Sequence, residues 1–378
     1  MPERIPCQMK QLLHYFNQIK ISEALRYSFK IWLSELLIFT ILGAVTSYLY
    51  KPILPADLNY LWGTTPIDEG MEGALLGVWL RWDGIHYLRI ADGGYSQEVL
   101  TAFFPLYPLL GRWMGFLVGS NLAGLLVVSR MAFLGALWVL YSLTELFFDT
   151  KTAKYAVIFL ALFPTSVYLM SPYPMSLALF LSLAVIWFAL RRKWAIVFLL
   201  GFMAGLTHGS TVPLVVGLCS IAIQKGLKDP RRVWLNLASA SGPLLGTAMF
   251  LAWRINQGFP DFSTLQFQYW SRIMQPPWMI INDFIDYFRY YFGGLDSTIN
   301  LVLFVGVILL TIWAYKRMPK VLWGYQLIML LFLSSTRELD ISFGSIGRFL
   351  LLMFPLPIEL ALLIKRPLIN TFAKNKLK

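Results

Sequence analysis

Apolar residues in this chain come in long runs separated by short polar clusters. Ten runs stand out: 31–50, 120–147, 153–170, 174–190, 194–208, 210–224, 233–254, 298–315, 320–336 and 348–364. Crossing the hydrocarbon core of a bilayer takes about 20 helical residues. A spanning segment must also satisfy its own backbone hydrogen bonds, which a helix does internally. The pattern predicts an all-α fold, a polytopic transmembrane helical bundle of about ten spans, with residues 1–378 forming a single integral membrane domain. Run 31–50 is too long for a signal-peptide core and is kept as a membrane helix. Runs 194–208 and 210–224 are short and split at Thr207-His208-Gly209-Ser210. Such a break must be covered by protein or open onto a cavity. Ahead of the first run, residues 1–30 carry five Lys/Arg and a stripe of Met9, Leu12, Leu13, Phe16 and Ile19. That spacing predicts an amphipathic segment lying on an anionic membrane face.

Composition sharpens this picture. Hydrophobic residues make up 57% of the 378, charged residues only 14%, and the mean hydropathy is +0.62. A soluble domain is nearer a quarter charged. The net charge of +12 is not spread evenly. Segments 1–30, 148–154, 191–193, 225–232, 316–320 and 365–378 hold 22 Lys/Arg, and loops 51–119, 255–297 and 337–347 hold seven. Ten spans let the two groups alternate, with both termini cytoplasmic, as the positive-inside rule requires. The basic excess therefore needs no nucleic acid partner. The outer loops hold 13 Asp/Glu against four in the inner segments. Acids do not set topology, so their skew reflects either loop solubility or chemistry on the outer face. Cys7 and Cys219 are too few for a disulfide framework. His14, His86 and His208 lack metal-ligand spacing, and neither a Walker nor a Rossmann glycine pattern occurs. No metal and no cofactor are expected, and a nucleotide-driven pump is disfavoured.

Within the first outer loop, 51–119, the stretch from Trp79 to Tyr95 is polar, aromatic and charged. If helical, it puts Asp83, His86, Tyr87 and Ile90 on one face. A carboxylate beside an imidazole and a phenol can move protons. The same composition also fits an interfacial helix with its tryptophans at the headgroups. A second amphipathic piece surrounds Arg112. Loop 255–297 contains twelve aromatic residues and Pro276-Pro277. The prolines forbid one continuous helix. The aromatics either dock the loop on the membrane interface or stack on an apolar or sugar surface.

Arg81-Trp82-Asp83, Tyr87-Leu88-x-Ile90-Ala91 and Gly94-Tyr95, followed by Phe103-Phe104-Pro105-Leu106-Tyr107-Pro108, resemble the PIG-V family, the second mannosyltransferase of GPI-anchor synthesis and its prokaryotic relatives. Ala161-Leu162-Phe163-Pro164-Thr165-Ser166, Gly347-Arg348-Phe349 and Phe354-Pro355-Leu356 add weaker matches. The resemblance implies a GT-C architecture with a non-cytoplasmic active site. It also implies a polyprenyl-phosphate hexose donor, mannose in the first instance, and a lipid or glycan acceptor. Membrane lipids surround the protein, and a bacterial plasma membrane is the expected location. The chain departs from the family at Tyr173-Pro174-Met175, where relatives show Tyr-Ser/Thr-Glu, and at Thr207-His208, where they often show Thr-Arg.

Asp83 is the expected general base, matching the family's Trp-Asp aspartate; a salt bridge to Arg81 or Arg89, or a helix cap, is its structural alternative. Arg348 opens an apolar run on the outer side, where a guanidinium can hold a phosphate bidentately or snorkel to headgroups. His208 is a further phosphate or sugar contact, or a satisfied histidine of the helix break. His86 and Tyr173 can reach sugar hydroxyls, and Arg81, Tyr87 and Arg89 complete the expected substrate-binding set. Asp92 lies about 13 Å from Asp83 on a continuous helix, too far for a carboxylate pair. A lipid or solute transporter, or a non-catalytic scaffold, remains the alternative. Against a carrier, Glu35, Arg130, Glu145 and Glu359 are the few ionisable groups in or near the runs, and no inverted repeat is visible.

Overall fold

The computed structural model describes residues 7–49, 73, 75–226 and 230–375. Residues 1–6 of the expected amphipathic segment, the side chains of its Met9-to-Ile19 stripe, and residues 51–72 of the first loop lie outside the described residues. Among the described residues the fold is all-α apart from two three-residue strands.

The chain enters on α1 (Cys7–Leu49), a single unbroken helix. The part of the basic N-terminal segment from Cys7 onward and the first span are therefore one helix, in which Glu23–Thr46 is long and apolar enough to cross a membrane. Two short helices follow in the first loop: α2 (Gly84–Gly93) and α3 (Leu106–Val118). The central helix is α4 (Asn121–Phe147), which packs against α1, α2, α3 and its two successors, α5 (Thr150–Ala161) and α6 (Met175–Leu190). Helix α6 is apolar all round and buried along most of its length. That is the signature of a core helix rather than a lipid-facing one.

Among the described residues three helices are long and apolar enough to cross a membrane: Glu23–Thr46 within α1, α4, and Leu295–Ala314. The number rises to five if each of two bent pairs counts as one span. Run 153–170 is not one helix, because Pro164 ends α5 in a turn before a four-residue helix, Val167–Met170. Run 233–254 bends by 45° between Arg231–Ala240 and Gly242–Asn256. Run 348–364 bends by 84° between Ile346–Leu352 and Pro355–Lys365. In the last two, Pro243 and Pro355 lack the amide that would continue the ladder. Runs 174–190, 194–208, 210–224 and 320–336 form helices of 10–17 residues.

Glycine lets two helix pairs touch backbone to backbone, as small residues do in membranes. A Cβ on Gly205 would stand 2.1 Å from the Pro243 carbonyl oxygen, and one on Gly246 would meet Phe202 at the same distance. Likewise, a Cβ on Gly124 would stand 2.2 Å from the Gly111 carbonyl, which fixes α3 on α4. Those contacts hold the loop bearing α2 against the bundle. Strands β1 (Arg272–Met274) and β2 (Thr336–Glu338) pair antiparallel, with Arg272 opposite Glu338 and Ile273 opposite Arg337. This ribbon ties loop 255–297 to the chain leading into Arg348.

Candidate active site

Asp83 precedes α2 and makes no capping bond to it. Its carboxylate turns instead to the far end of the chain, where Oδ2 accepts a 2.5 Å hydrogen bond from Arg348 Nη1. The two side chains are 21% and 14% exposed, so the pair is largely shielded yet reachable. Burial raises the proton affinity of Asp83. The charge and hydrogen bond of Arg348, with smaller help from His86 and Arg272, outweigh it and hold the carboxyl below its ordinary range.

Arg348 is placed by the turn around it. The Gly347 amide donates to Asn300 Oδ1 at 3.0 Å, and the Gly347 carbonyl accepts from Thr165 Oγ1 at 2.7 Å. A side chain at Gly347 would collide with both neighbours. The guanidinium lies 5.0 Å from the centre of the Phe349 ring, 5.6 Å from Tyr173 and 5.8 Å from Tyr168. Its Nε is buried with no hydrogen-bond partner. An aromatic collar with a vacant donor suits a second anion better than a closed ion pair does.

Behind Asp83 stands a fixed polar wall. Tyr173 donates its hydroxyl to the Arg81 carbonyl at 3.2 Å, Ser129 donates to the Tyr173 carbonyl at 3.1 Å, and Tyr107 and Ser129 share a 2.7 Å bond. Tyr87 is buried edge-on to Phe103 and Tyr107. It serves as part of this wall rather than as an open contact. His86 stacks on Phe103 at 4.7 Å and meets Trp270 edge-on. Burial pushes the His86 pKa down to about 4, opposed by the charge of Asp83 and assisted by Arg89. It is a neutral imidazole at neutral pH.

His208 occupies the helix break. Its Nδ1 accepts from the Ser210 amide, and its ring lies 5.7 Å from Phe349 and 6.3 Å from Phe104. The break thus faces the same aromatic group that carries Arg348. Arg81 Nη1 donates to the carbonyls of Gly77 and Leu80, so this hydrogen bonding braces its own turn. Arg89 lies six positions beyond Asp83, about 240° around a helix, and its charge acts on His86. Met175, at the departure from the family pattern, is buried in the core.

One cation was not foreseen. Arg272 lies 5.7 Å from the Phe349 ring, so two guanidinium groups attend one aromatic side chain. Arg272 is held by Glu338 at 3.5 Å and by Gln266 at 3.3 Å. Its only sequence signal was being one of two arginines in a loop crowded with aromatics. Among the described residues, three of the five non-glycine residues with left-handed φ flank these groups: Trp82 before Asp83, Ser271 before Arg272, and Ser345 at the start of the Arg348 turn. Each such residue costs about 1–3 kcal/mol and gathers where function requires an unusual backbone. Among the described residues no three His, Cys, Asp or Glu side chains group to hold a metal ion.

A family model described as Mannosyltransferase (PIG-V) matches residues 22–340. The GPI alpha-1,6-mannosyltransferase 2 of Cricetulus griseus is 31% identical over 158 residues, which is 39% of this chain and 32% of the relative. The GPI mannosyltransferase 2 of Schizosaccharomyces pombe is 31% identical over 127 residues, covering 32% of this chain and 27% of the relative. The human GPI alpha-1,6-mannosyltransferase 2 is 30% identical over 158 residues, with 39% and 32% covered. The chain thus spans about a third of the length of the curated relatives it matches. No solved structure matches it.

Proposed function

The chain belongs to the mannosyltransferase family PIG-V, and on that premise we propose that it transfers a mannosyl group from a polyprenyl-phosphate donor to a hydroxyl of a lipid or glycan acceptor. The observation that carries this reading is the Asp83–Arg348 pair, a carboxylate and a cation with a spare donor, ringed by aromatic side chains. The acceptor hydroxyl attacks the anomeric carbon from the face opposite the phosphate. The new C–O bond forms as the anomeric C–O bond to phosphate breaks, with inversion. Asp83 takes the hydroxyl proton, and the polyprenyl phosphate leaves with the bonding pair against Arg348. While bonded to Arg348, Asp83 is a weak base. A donor phosphate that draws Arg348 to itself frees the carboxylate and raises its proton affinity, so donor binding arms the base.

The remaining architecture follows the same reading. The reading takes the three long helices, the two bent pairs, the four shorter apolar helices and the run that α5 opens as one crossing each, ten in the GT-C manner. The distribution of Lys and Arg supports cytoplasmic termini and a site on the opposite, non-cytoplasmic face. Cysteines at Ser96 and Lys193, both exposed, test that orientation with an impermeant thiol reagent on intact cells. Labelling at Lys193 but not at Ser96 overturns it. The activity test supplies purified protein with polyprenyl-phosphate mannose and a hydroxylated glycolipid acceptor. Transfer that is lost in Asp83→Asn supports the proposal, and its absence from the native protein favours a scaffold or carrier.

A further inference from the structure

Loop 255–297 has two faces that do different work. From Trp278 onward, Ile281, Ile285, Phe288 and Phe292 fall three and four positions apart, and each is 51–74% exposed. This is the spacing of one helix face. It runs across a 3-10 turn, Pro277–Ile280, then the helix Ile281–Asp286 and a π-helical turn, Tyr287–Tyr291. The opposite face is polar and docked. Asp283 and Tyr287 are buried, the Tyr287 hydroxyl bonds Thr298 Oγ1 at 2.8 Å, and Phe284 packs edge-on against Phe343. Arg337 of β2 lies 3.8 Å from Asp283 and pairs with Asp286.

We propose that this apolar row is embedded in the lipid interface on the side of Asp83, and that its docked face clamps the ribbon that carries Arg272. Continuity argues for lipid as the occupant. After the turn at Gly293, whose φ is 86°, the exposed row resumes at Leu295, Ile299 and Val302 on Leu295–Ala314. That helix is one of the three described helices long and apolar enough to cross a membrane, and its exposed apolar stripe takes up the row again directly beyond the turn. Arg289 stands over Tyr290 at 5.8 Å on the edge of the row. A basic and an aromatic side chain there suit the headgroup level. Arg337 sits opposite Ile273, next to the Arg272–Glu338 pair. Asp283 and Asp286 therefore connect the lipid-facing segment to the ribbon at one residue's remove from Arg272. Embedding the row restricts the ribbon and, through it, the second cation of the site.

The experiment uses the full chain in nanodiscs, with Cys7 and Cys219 replaced by serine. A polarity-sensitive fluorophore is attached at Phe288→Cys and, separately, at Ser263→Cys, an exposed polar position of the same loop. Phospholipids bearing a nitroxide near the headgroup end of the acyl chain should quench the Phe288 label strongly and shift its emission to the blue, with little effect at Ser263. Equal, weak quenching at both sites overturns lipid embedding, and a label shielded from both lipid nitroxide and aqueous quencher assigns the row to a protein contact instead. Phe288→Glu should expel the row and speed amide exchange at residues 272–274. Unchanged exchange in a variant whose row has left the lipid overturns the clamp. Neither readout uses turnover, so failure of the transferase reading leaves this test intact.

Discussion

The carboxylate of Asp83 and the guanidinium of Arg348 meet at 2.5 Å although 265 positions separate them in the chain. Closing that pair sets two functions against each other, since each partner is occupied by the other until substrate arrives. A donor phosphate competes with Asp83 for Arg348. Asp83→Asn removes the competing charge and the proton acceptor together. Transfer should fall by about a hundredfold or more, the usual contribution of a positioned base. Donor binding should hold or tighten. Turnover and equilibrium donor binding on the same preparation check this, and near-full turnover places the base elsewhere.

Arg348→Lys keeps the charge but loses the planar fork and its vacant Nε. It should raise KM for the donor more than it lowers kcat, while Arg348→Ala should damage both and leave Asp83 buried without its cation. Steady-state kinetics against donor concentration separate the two patterns. Equal kinetics for Lys and native protein would make Arg348 a headgroup anchor rather than a phosphate ligand.

The apolar runs were legible because hydrocarbon tolerates few alternatives to a helix. Their breaks were less so. Pro164, Pro243 and Pro355 interrupt runs whose hydropathy is continuous, and a window of apolar residues does not register a missing amide. The residues of the Trp82-Asp83 block and Arg348 could be named from their resemblance to one family. Arg272 could not, because it reaches Phe349 only through the pairing of β1 with β2, a contact between loops far apart in sequence. Nor does the sequence show that Arg81 donates to the carbonyls of Gly77 and Leu80 in its own turn.

The ribbon clamp should respond to pH. Burial pushes the Asp283 carboxyl up from 3.8 to about 6, with the charge of Arg337 opposing the shift. A pKa raised in the folded state means the protonated form is favoured there. The stability it contributes is full below about 3.8 and is lost as pH rises through about 6. Amide exchange at residues 272–274, corrected for its intrinsic pH dependence, should therefore be slower at acidic than at neutral pH. Asp283→Asn should flatten that dependence. A native profile that is already flat between these limits would remove Asp283 from the clamp.

Gly347 tests whether placing Arg348 is as demanding as its bonding implies. A Cβ there would stand 2.8 Å from Asn300 Oδ1 and 3.1 Å from Thr165 Cγ2. Asn300 cannot retreat without giving up its bond to the Gly347 amide. Gly347→Ala should therefore cost about 1–3 kcal/mol of stability, as overpacking does. It should also move Arg348 away from Asp83, and a displacement near 1 Å can lower turnover by about a hundredfold. Adding Asn300→Ala relieves the collision but leaves the amide without its acceptor. The double variant should regain thermal stability more fully than activity. Measuring Tm beside turnover separates the effects, and parallel recovery of both would mean that the Asn300 bond does not position Arg348.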